Sequence, residues 1–589
     1  MTTAVTTTVD RADSSEAAVQ ERVARLEYDF GDLDDPGNPL GVQQFLAADA
    51  GRRLLPAAER LLDAFGLNAE FVPGELGGRL DRLDALARVL RVVFRRDAAL
   101  GLGHGLTSYL AAVVVWAGGS ARQRRDTAGL LLDGGRMACA YPEPPQGNDF
   151  LRNRLTALPD GTGHRLSGRK EAVNNAGRAD ALVLFAHTPD GLSAFLAPGP
   201  ADAAGRGREV GLLPRRPTAG VRGCVIEGLA FDRHPLPAGH LLGAAGDGAR
   251  LAERAFPLTR GAGLSMALGC ADTALRTTVA FARAHRSRSR ASLHSARTRT
   301  ALVGAFTDLL VCDCLSLVAT RAAHVLPRES RTLAAVAKYL LPTVLNETMD
   351  DLSIVLGAES YAPDGSYGVF RRTARDLPMI GLGSAGASAS RAVLVAQLLR
   401  LPSLTAAAAT DAPAVLFRPF DAGLPPCCPE DLELTSDRDS LLDSIEAWAR
   451  DADGTASGGR RTYRDAYGGA PAEAAAVLVA HLRALRADCA ELAARPAGHP
   501  VSPRAYALAD RYALIVAGAA CLGVWRHRPP GGFLADPVWA AMTLTRIAGR
   551  LGTRAVRPPA SAADHMLTEL LHRFDDARSY DLYSTAIGR

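Results

Sequence analysis

The sequence predicts a mainly α-helical protein with a central β domain. Three observations predict it. Apolar residues recur at helical spacing from Gly41 to Leu100. Short β-like runs, broken by Gly, Pro, Asp and Asn, fill Met137 to Leu241. Helical periodicity then returns at Gly246 over long segments joined by short links, the pattern of an antiparallel bundle. A chain of 589 residues exceeds one hydrophobic core, so several domains are expected. Its 48% hydrophobic and 22% charged residues are those of a globular protein, and a net charge of +4 excludes a dedicated nucleic-acid binder.

Element by element, residues 1–25 read as a mobile tail, and 26–136 as an N-terminal helical domain. In that domain Phe45, Leu54, Leu55, Leu61 and Leu62 keep helical spacing, and Val72 to Gly78 is a Pro/Gly loop. A helix from Leu80 to Arg96 carries apolar residues at 83, 86, 89, 90 and 93. Another, Thr107 to Ala117, stops at Gly118-Gly119. Residues 137–241 form the middle β domain, a barrel or sandwich, with runs at 181–186, 193–197 and 223–226. The four-helix bundle spans 242–410, with helices near 248–284, 294–325, 331–356 and 385–400. A linker rich in Pro, Asp and Cys covers 411–438. An extra C-terminal helical domain, 439–589, has starts signed by Ser502-Pro503 and Asp536-Pro537, each a polar cap before proline.

Nine cysteines show no metal-ligand spacing, which fits incidental thiols in a reducing cytoplasm. The Thr-rich start lacks the basic and apolar regions of a signal peptide, and the run Leu106 to Ala117 is too short to span a bilayer. A cytoplasmic protein without membrane insertion is expected.

Several local motifs fall in order. They include Pro73-Gly74-Glu75-Leu76-Gly77-Gly78, Met137 to Pro144 ending in Glu143-Pro144, Gly168-Arg169-Lys170 followed by Asn174 to Ala179, and Gly246-Asp247-Gly248. Arg260 opens the bundle, and Arg375-Asp376 is followed by Gly383-Ser384-Ala385-Gly386 and Arg391. Together, over about residues 30 to 405, they resemble the acyl-CoA dehydrogenase family. The last segment is similar to that family's Arg-Asp-x6-Tyr-Glu-Gly-Thr-x4-Arg run, with Ser384 where the family carries its catalytic glutamate. The second location of a family base, just before Arg260, is Thr259.

The resemblance implies an acyl-CoA dehydrogenase-like fold and FAD as cofactor. It places the flavin edge at Tyr141, Pro142, Asn148, Ala172 and Asn174. Pro142 has neither hydroxyl nor N–H where the family has threonine, Ala172 stands for a shielding tryptophan, and Asn148 and Asn174 keep amide donors. It places the adenine half and pyrophosphate at Arg286, Arg297 and Gly357, across a subunit contact. Substrate binding falls to Arg260 and Gly383, with Ser384 at the catalytic position.

A serine hydroxyl is not a base at neutral pH without a partner. Three functions therefore stand side by side. The first is a flavin oxidoreductase acting on an acyl thioester, carried by CoA or an acyl carrier protein, in specialised metabolism and with a relocated base. The second is a flavin-dependent monooxygenase on the same scaffold. The third is a catalytically silent subunit in a mixed oligomer with an active dehydrogenase. A homodimer or homotetramer is expected in either enzyme reading. Glu253, Asp351, Glu359 and Asp376 are the carboxylates near the relevant motifs, each expected in a surface or ion-pair role, and His104 and His294 are the nearest histidines.

Overall fold

The computed structural model describes residues 13–588 except 142, 148, 201–209, 286–292, 383–386, 405–410, 434–435, 454–469, 495–501 and 554–559. Six helices build the N-terminal region: α1 Glu16–Phe30, α2 Val42–Ala50, α3 Pro56–Phe65, α4 Leu83–Arg96, α5 Thr107–Gly118 and α6 Ala121–Leu132. α1 corrects the expected tail of residues 1–25. Ser15 caps it through the Ala18 N–H, and Val19, Val23, Leu26 and Phe30 form a buried stripe that the surrounding charged residues disguise. The loop before α4 demands glycine at Gly78, because a Cβ there would lie 1.9 Å from the Val72 carbonyl oxygen.

α4 is buried along its whole length. Its apolar positions pack as the sequence predicts, but Arg88, Arg91, Arg95 and Arg96 are buried with them. Each has a partner: Arg88 pairs with Glu16, Arg91 with Asp313, and both Arg95 and Arg96 with Glu27. Buried guanidinium groups persist only when paired in this way.

The middle domain is built from β1 Met137–Ala140, β2 Thr156–Asp160, β3 Gly163–Asn174, β4 Ala181–Thr188, β5 Gly191–Pro198, β6 Val210–Leu213, β7 Ile226–Leu236 and β8 Leu241–Leu242. Among the described residues they form one eight-stranded sheet, in the order β6-β7-β3-β2-β4-β5-β8 with β1 alongside β4. β4 and β5 form an antiparallel hairpin, Thr188 opposite Gly191, and β1 (Met137–Ala140) runs parallel to β4 with Met137 opposite Ala181. Leu166, Leu184, Phe195 and Leu229 fill the interior, a core separate from that of the helices. The expected strand at 223–226 begins only at Ile226.

Among the described residues the bundle region holds α7 Gly248–Ala284, α8 Ala296–Val325, α9 Ser330–Leu356, α10 Gly368–Leu382 and α11 Ala387–Arg400. α10 hides in the sequence because it contains Pro378 and Gly381 in its last turn. It carries the Arg375-Asp376 pair. Arg375 forks onto both carboxylate oxygens of Asp49 (2.6 and 2.8 Å) and onto Asp376, which accepts from the Val221 N–H at 2.7 Å. One pair thus ties the bundle to α2 and to the β domain.

Helices α12 Ser440–Asp453, α13 Ala470–Ala493, α14 Pro503–Arg526, α15 Pro537–Arg550 and α16 Ala560–Asp575 form the extra domain. Arg391 reaches it, pairing with Asp510 at 2.9 Å and lying over the Tyr506 ring. Residues 580–583 then thread back into the core. Tyr580 N–H donates to Asp272, Leu582 N–H to Asp313, and Asp581 lies 3.4 Å from Arg91. Among the described residues three helices are long and apolar enough to cross a membrane, and their apolar windows are 78–89% buried inside the protein.

Candidate functional site

β1 leads into Tyr141, at the junction of the β domain with α7. The Tyr141 ring meets Phe256 of α7 at 4.9 Å between centroids, and Phe256 meets Phe185 of β4 at 6.1 Å. The backbone here is fixed from β3. Lys170, fully buried, donates to the Tyr141 carbonyl at 3.2 Å and pairs with Glu143 at 3.1 Å. Glu143 in turn accepts from the Arg154 and Leu155 N–H groups. Burial pulls the Lys170 amine down to about 8, against the raising effect of Glu143.

At the end of β3, Asn174 spends its amide donors inside the chain, on the Leu102 carbonyl and the Thr107 hydroxyl. Among the described residues its buried Oδ1 has no partner. The amide donors expected to face a flavin are thus spent within the chain, and an acceptor is left over. Leu102 lies in a π-helical turn, Gly101–Leu106, that passes beneath this strand end, and Asn175 also donates into it. His104, in the same turn, lies between Glu59 and Asp63 (3.4 and 2.9 Å), and Glu59 also pairs with Arg178. Burial raises the Glu59 carboxyl, and His104 and Arg178 more than reverse that, holding it at about 2. Ala172 sits on β3 beside a register shift between Lys170 and Val173.

Across the junction, Arg260 of α7 is almost buried, which lowers its guanidinium while nearby Tyr141 opposes the shift. Thr259 turns its hydroxyl back onto the Phe256 carbonyl, 2.9 Å away. Lys338 of α9 is 3% exposed and donates to the Ile380 carbonyl at 3.3 Å, in the last turn of α10. Burial first, then the Arg260 charge, pull its amine down to about 7. The sequence reading passed over Lys338. Its signal was there, since it is the one charged residue between Arg331 and Glu347.

A cleft of about 600 Å³ opens at the far end of the bundle, and Arg297 and Gly357 both line it, with Phe281, His285, Thr298 and Arg546 of α15. Gly357 ends α9 at φ +59°, and a Cβ there would meet nothing within 4 Å. Two positions picked from sequence for the adenine half thus share one cavity. Pro142, Asn148, Arg286, Gly383 and Ser384 lie outside the described residues.

The candidate carboxylates are engaged elsewhere. Glu253 pairs with Arg331 at 3.3 Å, Asp376 with Arg375, Asp351 lies exposed 3.9 Å from Arg546, and Glu359 is exposed. His294 is exposed as well.

The C-terminal domain model of acyl-CoA dehydrogenases matches residues 246–398. Human mitochondrial short-chain specific acyl-CoA dehydrogenase is 32% identical over 237 residues, which is 39% of this chain and 56% of that protein. A probable acyl-CoA dehydrogenase of Mycobacterium leprae is 28% identical over 242 residues, 40% of this chain and 61% of that protein. The chain thus spans little more than half the length of the curated relatives it matches. Among solved structures, an acyl-CoA dehydrogenase from Bacillus anthracis complexed with FAD aligns over 94% of this chain and 91% of its own, with TM-score 0.67 and 15% identity. The prolyl acyl carrier protein oxidase AnaB covers 64% of this chain and 97% of its own, with TM-score 0.53 and 19% identity. At such identities these structures speak to the fold.

Proposed function

From a chain that is, by fold and by its bundle domain, a member of the acyl-CoA dehydrogenase family, we propose a cytoplasmic FAD-dependent oxidoreductase that acts on an acyl thioester, carried by CoA or an acyl carrier protein, in specialised metabolism. One observation carries the reading. Arg297 and Gly357, taken from separate stretches of sequence for the adenine half, line one cleft of the bundle, and Tyr141, taken for the flavin edge, packs on Phe256 of the same bundle.

The residues present fit FAD. The orphaned Asn174 Oδ1 is an acceptor in want of a donor, and an oxidised isoalloxazine carries one such N–H in its pyrimidine ring. The Arg297 guanidinium in the outer cleft suits a pyrophosphate, and the open space at Gly357 lets a ligand approach the backbone. A homo-oligomer, in which that cleft serves the neighbouring subunit's cofactor, follows the expectation drawn from sequence. When bound, FAD supplies the two-electron acceptor.

The chain's own residues do the rest. Lys170 holds the Tyr141 carbonyl and pairs with Glu143, fixing the end of β1 beside α7. Tyr141, Phe256 and Phe185 form an apolar wall that excludes water from the junction. Arg260 provides a fixed positive charge beside that wall, suited to a thioester oxygen on which charge develops. Nine unpaired thiols favour a reducing compartment.

The test is a visible spectrum of the purified protein, followed by anaerobic addition of acyl-CoA and acyl carrier protein thioesters. Bound flavin that bleaches with thioester supports the reading. A colourless protein that takes up no added FAD refutes it. The missing glutamate at Ser384 keeps the monooxygenase reading as the alternative, marked by oxygen consumption once an external reductase supplies reduced flavin.

A further inference from the structure

The outer cleft is walled mainly by the bundle: Phe281 of α7, Arg297 and Gly304 of α8, and Val355 of α9 all line it, with Gly357. Among the described residues the extra domain gives it one side chain, Arg546 of α15. A second cleft, of about 680 Å³, adjoins it between α8, α15 and α16. The two share Thr300, Gly304 and Arg546. Arg546 is the one long side chain in common, so its guanidinium is the partition between them.

α8 fixes the place of that partition. A Cβ at Gly304 would lie 3.7 Å from a guanidinium nitrogen and 3.9 Å from Cζ, so the group lies against the helix where any longer side chain would displace it. One turn on, Asp308 accepts from Nε at 3.0 Å and from Nη2 at 2.6 Å. Two bonds set the plane of a guanidinium as well as its position. Asp308 is 1% exposed, accepts from the Thr348 hydroxyl at 3.4 Å, and lies 3.5 Å from Arg550. It lines neither cleft. The fork spends the Arg546 charge on Asp308, so Arg546 serves the outer cleft as a wall and leaves an anion to Arg297. Without that wall the two clefts run together, and a ligand in the outer one loses a surface to pack on.

We propose that Asp308 is a positioning residue for the dinucleotide. Through Arg546 it closes the outer cleft around the adenine half of FAD, so the extra domain governs how long the cofactor stays bound. This rests on the function proposed above.

A plainer role is also available to Asp308, docking α15 on the bundle, where Arg550 forms a second link through Glu347. Arg550 lines only the second cleft, which makes Arg550→Met the control: it weakens the same contact between domains and leaves the outer wall in place. Holoprotein is gel-filtered into flavin-free buffer, and FAD release is followed by free-flavin fluorescence. The visible spectrum of the flavin still bound reports the isoalloxazine end, away from this cleft. Asp308→Asn is expected to release FAD about tenfold faster or more, with the bound spectrum of wild type, and Arg550→Met to stay within about threefold of wild type. Arg546→Lys, which keeps a charge beside Asp308 but loses the fork, is expected to fall between them. Release from Asp308→Asn within about threefold of wild type overturns the proposal. So does equal acceleration in Asp308→Asn and Arg550→Met, or a shifted bound spectrum, since either marks a loosened domain; in these cases the FAD reading stands. If Asp308→Asn gives no soluble protein, Arg546→Lys decides, and release no faster than that of Arg550→Met overturns the proposal. Wild type that holds no FAD, as purified or after its addition, sinks both readings.

Discussion

Replacing Arg375 by methionine removes the guanidinium that joins α10, α2 and the loop at Val221. In the wild-type fold, burial alone would lower the Arg375 group, but its hydrogen bonds to the Asp49 and Asp376 carboxylates outweigh that and raise it above the usual guanidine range. The variant keeps the Asp376 carboxylate, 1% exposed, with the Val221 N–H as its remaining donor of those described above. Breaking a buried pair by deleting one partner costs about 3–5 kcal/mol, and the partial exposure of Arg375 and Asp49 (19% and 11%) argues for the lower end, about 3. At about 2–4 °C per kcal/mol, the melting transition of this part of the protein should fall by about 6–12 °C. Differential scanning calorimetry measures the fall, and hydrogen-exchange mass spectrometry should show faster exchange in peptides covering 215–224. Asp49→Asn is the control: Arg375 keeps Asp376, so the cost should be about half. A shift below about 2 °C for Arg375→Met, with unchanged exchange around Val221, would refute the idea that this pair locks the three regions together.

Other outcomes follow from single contacts. Asp439, buried between Tyr512 and the start of α12, has its carboxyl pushed up to about 7 by burial and by Glu329. The folded state therefore holds a proton that the unfolded chain gives up near 4, so stability should decline as pH rises from about 4 to 7 and then level off; Asp439→Asn should flatten that slope in melts across the range. Arg391→Ala, which frees Asp510 and two tyrosine rings, should cost about 1–2 kcal/mol and speed proteolysis of the extra domain. Gly78→Ala, whose Cβ meets the Val72 carbonyl, should leave little soluble protein at normal expression temperature. Asp581→Ala strands Arg91 from one of its two carboxylates; it should cost about 3 kcal/mol, read as a lowered melting temperature at pH 7. Because Arg91 and Arg95 lower Asp581 below its ordinary range despite its burial, the difference from wild type should shrink as pH falls through the acid range.

The broad layout was legible because its signal is local. Period-two runs with Gly and Pro punctuation located the β domain, and period-3.6 runs located α7, α8 and α9 to within a few residues. What stayed hidden depends on partners remote in sequence. Arg88, Arg91, Arg95 and Arg96 look like the wet face of an amphipathic helix until Glu16, Glu27, Asp313 and Asp581 are brought to them. α10 was obscured by proline and glycine in its last turn, and α1 by charges around its apolar stripe. At the site, motif matching picked Tyr141 and Arg260, which lie near each other at α7, and Arg297 and Gly357, which line one cleft. It could not show that Asn174 turns its donors inward, since Leu102 and Thr107 lie some seventy residues away in the chain. Nor could it show that Lys338 is buried against the Ile380 carbonyl of another helix, with its amine lowered by burial and by Arg260.

The return of residues 580–583 to α4 has a consequence for how the protein is made. Arg91 meets Asp581 across 490 positions of chain, so it emerges from the ribosome long before that partner, whereas Glu16 and Glu27, the partners of Arg88, Arg95 and Arg96, precede them. Until then the Arg91 guanidinium must stay wet, and α4 has no finished seat. Final closure therefore waits on residues 580–583, which makes a slow, late step the expected rhythm of folding and makes the helices after 439 a clasp rather than a detachable module.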